Sequence, residues 1–189
     1  MGSVILQPSA FIKEAIRFAT WAHASIDQRR KYTNEPYIIH PAAVARLVSW
    51  ITDDEAMIAA AWLHDVVEDT PVTIDEIRSK FGDDVASLVS DLTAVSKPED
   101  GNRKTRKAID LEHTATASPR AKTIKLADLV HNLGSVADHD KAFAVMYMRE
   151  KHLLLAVLSE GDSRLFGRVS TLVSDYLGSE PIKPGDCFV

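Results

Sequence analysis

Apolar residues recur at helical spacing along almost the whole chain. Over residues 9–24, Phe11, Ile12, Ala15, Ile16, Ala19 and Ala22 line one face with Lys13, Glu14 and Arg17 opposite, which predicts an amphipathic helix on a core. A turn-rich stretch follows at 25–40, within which Tyr37, Ile38 and Ile39 are expected as a short extended piece. Pro41 suits a first helical position, so a helix is predicted from there to about Trp50, with His40 at its entrance. Thr52 and Glu55 offer a capping box for a helix over 53–68 that Pro71 stops, and Thr73 with Glu76 offers another for a short helix to about Lys80. After a turn at 81–84, Val85, Leu88, Val89 and Leu92 carry a helix to about Ala94. The polar stretch 96–102, with one Pro and one Gly, is the most loop-like interior segment. Further helices are predicted at 102–116, from the Ser118-Pro119 cap to 137, at 140–158 and at 162–178, with Gly134 expected to kink or end the second of these. In that second helix Ile124, Leu126, Ala127, Val130 and Leu133 are the expected core face. The tail after 178 is expected to fray or dock loosely. No alternating pattern competes with these helices, so the fold class is all-α, a bundle of about eight to nine helices.

One stretch departs from this logic. Within AAAWLHDVVEDT, residues 59–70, the side chains of His64, Asp65, Glu68 and Asp69 form two i,i+4 pairs that would share one cleft on a helix. Carboxylates beside Leu, Val, Ile and Trp are costly unless a basic pocket or a metal compensates them. A metal is the working idea. Two His with two Asp would suit Mn²⁺, Fe²⁺ or Zn²⁺, while the histidines disfavour Ca²⁺. Among the seven histidines His64 is the strongest ligand candidate, His40 before Pro41 is also a plausible cap, and His131 beside Asn132 reads equally as ligand, outer partner or core residue.

The length of 189 residues fits a single domain, and an apolar fraction of 46% supports a packed core. A formal charge of −5 argues against a general nucleic-acid binder but leaves room for one small anionic ligand held by local Lys and Arg. The single cysteine, Cys187, cannot form an internal disulfide, which fits a reducing compartment. The first residues lack the pattern of a signal peptide, and no apolar run approaches the roughly 20 residues that span a bilayer. A soluble cytoplasmic protein is therefore expected. No GxGxxG or P-loop signature is present.

Four segments together, RRKYTNEPYIIHP at 29–41, LHDVVEDT at 63–70, FG at 81–82 and KLADLVHN at 125–132, occur in an order and at gaps that give the chain a family likeness. It resembles the HD-domain metal-dependent phosphohydrolases, and within them the hydrolase domain of bacterial alarmone synthetase/hydrolase enzymes and their small stand-alone relatives. The resemblance covers roughly residues 10–178 and implies one HD-type domain, with no room for a synthetase domain after it. It implies that His40, His64, Asp65 and Asp128 hold one Mn²⁺ and that Glu68 and Asp69 orient or activate the attacking water. It further implies that Arg30 and Lys31 meet substrate phosphates or the base and that Asn132 reaches the nucleotide, with Lys125 beside them and Lys97, Arg103 and Tyr37 as further candidates.

The activity implied is removal of the 3′-pyrophosphate of guanosine tetra- or pentaphosphate. The partner is then a small nucleotide, with no nucleic acid and no membrane, and a homo-oligomer is compatible with it. Two positions depart from the family pattern: Leu129 and Gly134 stand where relatives usually carry basic residues, which motivates adenosine 3′-pyrophosphates as an alternative substrate. The segment between His23 and Arg30 is about two residues longer than usual, and His23 is read as structural. A binding module that senses the nucleotide without cleaving it is the other alternative, disfavoured by the presence of both Glu68 and Asp69.

Overall fold

The computed structural model describes residues 8–178, and the expectations for Cys187 and the two ends of the chain lie outside them. Among the described residues there are nine α-helices, one 3₁₀ turn and a single isolated bridge, Arg29 with Pro36, so the all-α expectation holds. Helix α1 (Ala10–Ser25) starts at Ser9, whose hydroxyl accepts from the Ile12 amide, and it buries Ile12, Ala15, Phe18, Ala19, Ala22 and His23. Helix α2 (Ile39–Ser49) opens two residues before Pro41. Proline is tolerated there because the whole first turn has no intrahelical acceptor for its N–H groups. The predicted extended piece is therefore absent: Tyr37 and Ile38 form a turn and Ile39 is helical.

The central helix also differs from expectation. Asp54, not Thr52, caps α3 (Glu55–Leu63) by accepting from the amides of Ala56 and Met57, while Thr52 accepts from the Asp54 amide. The helix stops at Leu63, and after a turn at His64 and Asp65 a single turn, α4 (Val66–Asp69), follows. The i,i+4 pairing read from one continuous helix is corrected accordingly. Helix α3 is apolar on all sides, burying Met57, Ala59, Ala60, Ala61 and Leu63, because it is packed among α1, α2, α5 and α7.

Helix α5 (Ile74–Leu92) begins with the predicted Thr73–Glu76 capping box. The expected break survives inside it as a kink at Gly82, whose φ of 85° and ψ of 171° are left-handed and extended, a combination glycine adopts without a Cβ clash. The loop after it contains the 3₁₀ turn Pro98–Asp100. Helix α6 (Arg103–Thr116) is capped by Asn102 and buries none of its residues.

Helix α7 (Pro119–His139) is capped by Ser118 and runs through Gly134 without a break, against the expected kink. Its buried face includes Leu129, at 1% exposure, while Val130 is only half-buried. Helices α8 (Lys141–Leu155) and α9 (Ser163–Leu177) pack on α7 and on each other. Helix α7 thus joins a group made of α1, α2, α3 and α5 to a second made of α8 and α9.

The α8–α9 loop is clamped onto α7. Lys122 is buried, donates to the Ala115 carbonyl at 3.0 Å and pairs with Glu160, and the Asp162 amide donates to Thr123 Oγ1 at 2.9 Å. Between them Gly161 lies so close that an added Cβ would meet Leu126 Cδ1 at 2.7 Å and the α7 backbone at 3.1 Å. Gly161→Ala is expected to destabilise by about 1–3 kcal/mol through overpacking. Gly134→Ala, with nothing within 4 Å, is expected to stabilise by about 0.5–1 kcal/mol through helix propensity. Chemical denaturation of both variants checks the pair, and equal effects of the same sign would contradict it.

Candidate metal centre

The break between α3 and α4 places His64 and Asp65 at the middle of the fold, where α2 brings His40 and α7 brings Asp128. His40, His64 and Asp128 are all buried. The Nε2 atoms of His40 and His64 face each other at 3.2 Å. Asp65 Oδ2 lies 3.3 Å from the first and 3.0 Å from the second, and Asp128 Oδ1 lies 3.2 and 3.9 Å from them.

The outer hydrogen bonds fix which nitrogen faces inward. His64 Nδ1 lies 2.8 Å from the Ala61 carbonyl, an acceptor only, so Nδ1 carries the proton and Nε2 presents its lone pair. His40 Nδ1 lies 2.8 Å from His131 Nδ1, and burial, followed by the charges of His40 and Arg30, pushes His131 down to about 4. A neutral His131 accepts from His40 Nδ1–H and leaves the His40 Nε2 lone pair inward as well.

Two imidazole lone pairs and two carboxylates pointed at one spot repel each other unless a cation sits among them. Ligand bonds of about 2.1 Å set donors about 3.0–3.5 Å apart around one ion, and most of the separations above fall in that range. His40, His64 and Asp65 can jointly hold a metal ion, and Asp128 stands against the same donors. The same crowding shifts the titration of the cluster's members. Burial alone would lower the His64 pKa, yet Asp65 and Asp128 outweigh it and push it up to about 9. Burial acts to raise Asp65 and Asp128, but the two histidines hold Asp65 well below the usual carboxylate range, and Lys125 with the histidines does the same for Asp128.

The remaining candidates surround this cluster. Tyr37 donates its hydroxyl to Asp65 Oδ2 at 2.7 Å, a contact that positions a candidate ligand. Asn132 donates to Asp128 Oδ1 at 2.6 Å and accepts from Arg30 Nη2 at 3.1 Å, so these two form one chain leading out of the centre. Lys125 Nζ lies 3.1 Å from Asp128 Oδ2. Lys31 points elsewhere: its ammonium sits 4.8 Å from the Tyr32 ring centre and 3.8 Å from Asp140. Arg103 is held by both oxygens of Glu150 at 2.7 and 2.9 Å, and the Lys97 side chain is exposed.

Glu68 and Asp69 diverge after the break. Glu68 Oε2 accepts from the Ala94 amide at 3.1 Å, beside the end of α5, whereas Asp69 Oδ2 accepts from Gln28 Nε2 at 2.8 Å, on the side of α1. Gln28 in turn lies 2.6 Å from His23 Nδ1, so His23 is buried as expected but also steadies the residue that holds Asp69. Partial desolvation raises the pKa of Glu68 and Asp69, with Asp65 adding to it, which makes both carboxylates better proton acceptors. The sequence reading missed Gln28. Its only signal is its place ahead of the basic run, five residues past His23.

The two departures from the family pattern contribute no side chain to this cluster. Leu129 belongs to the hydrophobic core, and Gly134 opens onto a groove lined by Met148, Leu172, Asp175 and Tyr176.

A helical bundle with adjacent His and Asp at its middle, joined by a second His and a second Asp from other helices, is the arrangement of an HD domain. The HD domain family matches residues 15–160, and the chain belongs to that family. With a donor set able to hold a divalent ion, this makes it a metal-dependent hydrolase. Its relatives include the guanosine-3′,5′-bis(diphosphate) 3′-pyrophosphohydrolase MESH1 of Xenopus tropicalis, 43% identical over 132 residues, which are 66% of this chain and 69% of the relative. A probable enzyme of the same designation from Synechocystis sp. is 42% identical over 129 residues, but the match spans only 17% of that longer protein. Among solved structures, a metazoan ortholog of SpoT described as hydrolyzing ppGpp superposes with a TM-score of 0.79 at 29% identity, covering 89% of this chain and 97% of the other. Among the described residues no helix is long and apolar enough to cross a membrane.

Proposed function

We propose that the chain is a single HD-type domain, with its core over about residues 10–178, that hydrolyses the 3′-pyrophosphate of guanosine tetra- and pentaphosphate to GDP or GTP and pyrophosphate. The observation that carries this reading is the meeting of His40, His64, Asp65 and Asp128 with Glu68 and Asp69 on either side. The activity in the names of the MESH1 and SpoT relatives supports the substrate class.

His40, His64, Asp65 and Asp128 would hold the ion, and mixed imidazole and carboxylate donors suit Mn²⁺. When bound, it supplies Lewis acidity to the phosphoryl oxygen and to the attacking water. The chain's own residues do the rest. Tyr37 and Asn132 hold the two aspartates in place by their hydrogen bonds. Glu68 and Asp69 orient the water and take its proton as its oxygen bonds to the phosphorus attached at O3′. That phosphorus–O3′ bond breaks, and the proton passes to the departing 3′ oxygen, so that one water is consumed and pyrophosphate and a 3′ hydroxyl are formed. Arg30, standing 5.8 Å from the Tyr37 ring centre and bonded to Asn132, supplies positive charge and a planar face to the nucleotide. Lys31 would reach substrate only by leaving Asp140, a weak contact at 3.8 Å on an exposed side chain.

Leu129 is buried in the core and Gly134 faces the groove beside Met148 and Tyr176, so neither position supports an adenosine substrate. Release of pyrophosphate from guanosine and adenosine 3′-pyrophosphates, side by side with Mn²⁺, tests the assignment. Faster turnover of the guanosine compounds is expected. Equal or faster release from the adenosine compounds would overturn the guanosine reading, and tight binding of both without product would replace the enzyme by a sensor.

A further inference from the structure

Beside the metal centre, on the side of Glu68, lies a cavity of about 110 Å³ whose charged walls are Glu68, Asp110, Glu150, Lys107, Lys125 and Lys151. It is well below the roughly 300–1,000 Å³ of a pocket for a drug-sized molecule, so it has room for a phosphoryl group and not for a nucleoside. Three of its walls are lysines from three different helices, α6, α7 and α8. Lys107 has Asp110 at 3.5 Å and Lys125 has Asp128 at 3.1 Å, but among the described residues Lys151 has no ion-pair partner. Its ammonium rests instead 4.7 Å from the centre of the Tyr147 ring. Burial, followed by repulsion from Lys125 and Lys107, pushes Lys151 down to about 8. The carboxylates of the same lining are engaged elsewhere, Glu68 by the Ala94 amide, Asp110 by Ser96 and Lys107, and Glu150 by Arg103, so Lys151 is the ammonium here that an entering anion would compensate.

Lys125 and Glu68 belong to both places. Lys125 touches a candidate metal ligand and lines the cavity, and Glu68 lines the cavity three residues after Asp65, whose charge acts on it. Lys125 therefore stands between the metal centre and the cavity. We propose that Lys107, Lys125 and Lys151 form the subsite for the terminal phosphoryl group of the substrate's 3′-pyrophosphate, an inference that rests on the function proposed above. The subsite selects a pyrophosphate over a monophosphate at the 3′ position, because a monophosphate leaves the Lys151 ammonium without an anion.

The test uses the full chain loaded with Mn²⁺ and inorganic pyrophosphate as the probe, with affinity measured by calorimetry in wild type, Lys151→Met, Lys107→Met and the exposed control Lys13→Met. Loss of one charge-assisted contact to phosphate is expected to weaken pyrophosphate binding about tenfold or more in Lys151→Met and severalfold in Lys107→Met. The control is expected to stay within about twofold of wild type, and GDP affinity is expected to hold in all variants. The ratio of kcat/KM for a 3′-pyrophosphate over the matching 3′-monophosphate is expected to fall in the same order. Lys107 is 39% exposed on α6, so its variant keeps the test alive should Lys151→Met fail to fold. Pyrophosphate affinity unchanged in both variants would overturn the subsite, even with hydrolysis intact. Lysine-dependent pyrophosphate binding in a protein that cleaves no 3′-pyrophosphate would leave the subsite standing and remove the function.

Discussion

Asp65→Ala is expected to abolish metal binding and hydrolysis together. The Asp65 carboxylate stands close to both inward nitrogens, at 3.0 Å from His64 Nε2 and 3.3 Å from His40 Nε2, whereas Asp128 lies 3.9 Å from the first of them. Losing a partner outside the ligand set typically costs about 10–100-fold in metal affinity or activity, so losing a ligand should exceed that range. His64→Ala should behave in the same way, because its Nε2 is aimed inward by the Ala61 carbonyl and the remaining His40 leaves the centre one imidazole short. Metal analysis of the purified variants, with pyrophosphate release on the same samples, reads both quantities. Metal-dependent turnover retained in Asp65→Ala would sink the assignment of the centre.

Glu68→Gln and Asp69→Asn are expected to part the two readouts. Each keeps an acceptor for the bond it now receives, from the Ala94 amide and from Gln28 respectively, so the local structure and the metal should persist. What each loses is a carboxylate whose pKa is raised by desolvation and which is therefore suited to take a proton. General-base contributions of about 10²–10⁴-fold set the expected fall in kcat, with KM changing little. A variant with wild-type kcat identifies a carboxylate that does not serve the water. A variant that loses its metal assigns that residue to the ligand set instead.

The candidate ligands were legible because they contradict their surroundings. His64 and Asp65 stand in an otherwise apolar run, and such residues persist there only when something compensates them. His40 and Asp128 needed the family spacing, since neither a His before Pro nor one Asp on a long helix is distinctive alone. The stop at Leu63 was not legible: residues 59–69 hold no Gly or Pro, and the break is imposed by the burial of α3 among four other helices. The kink at Gly82 was legible as a break, whereas at Gly134 the helix α7, packed against α8 and α9, continues to His139 without one. Tyr37, Gln28, Lys107 and Lys151 act through contacts 28 or more residues away, or through a cavity wall, and local pattern carries no trace of such contacts.

The most direct measurement is pyrophosphate release from guanosine tetraphosphate by protein stripped with a chelator and then titrated with divalent ions. Activity is expected to vanish on stripping and to return with about one equivalent of ion per chain, Mn²⁺ restoring the most. Release that continues in the stripped protein, or that no ion restores while the protein remains folded, would contradict a single metal held by His40, His64, Asp65 and Asp128.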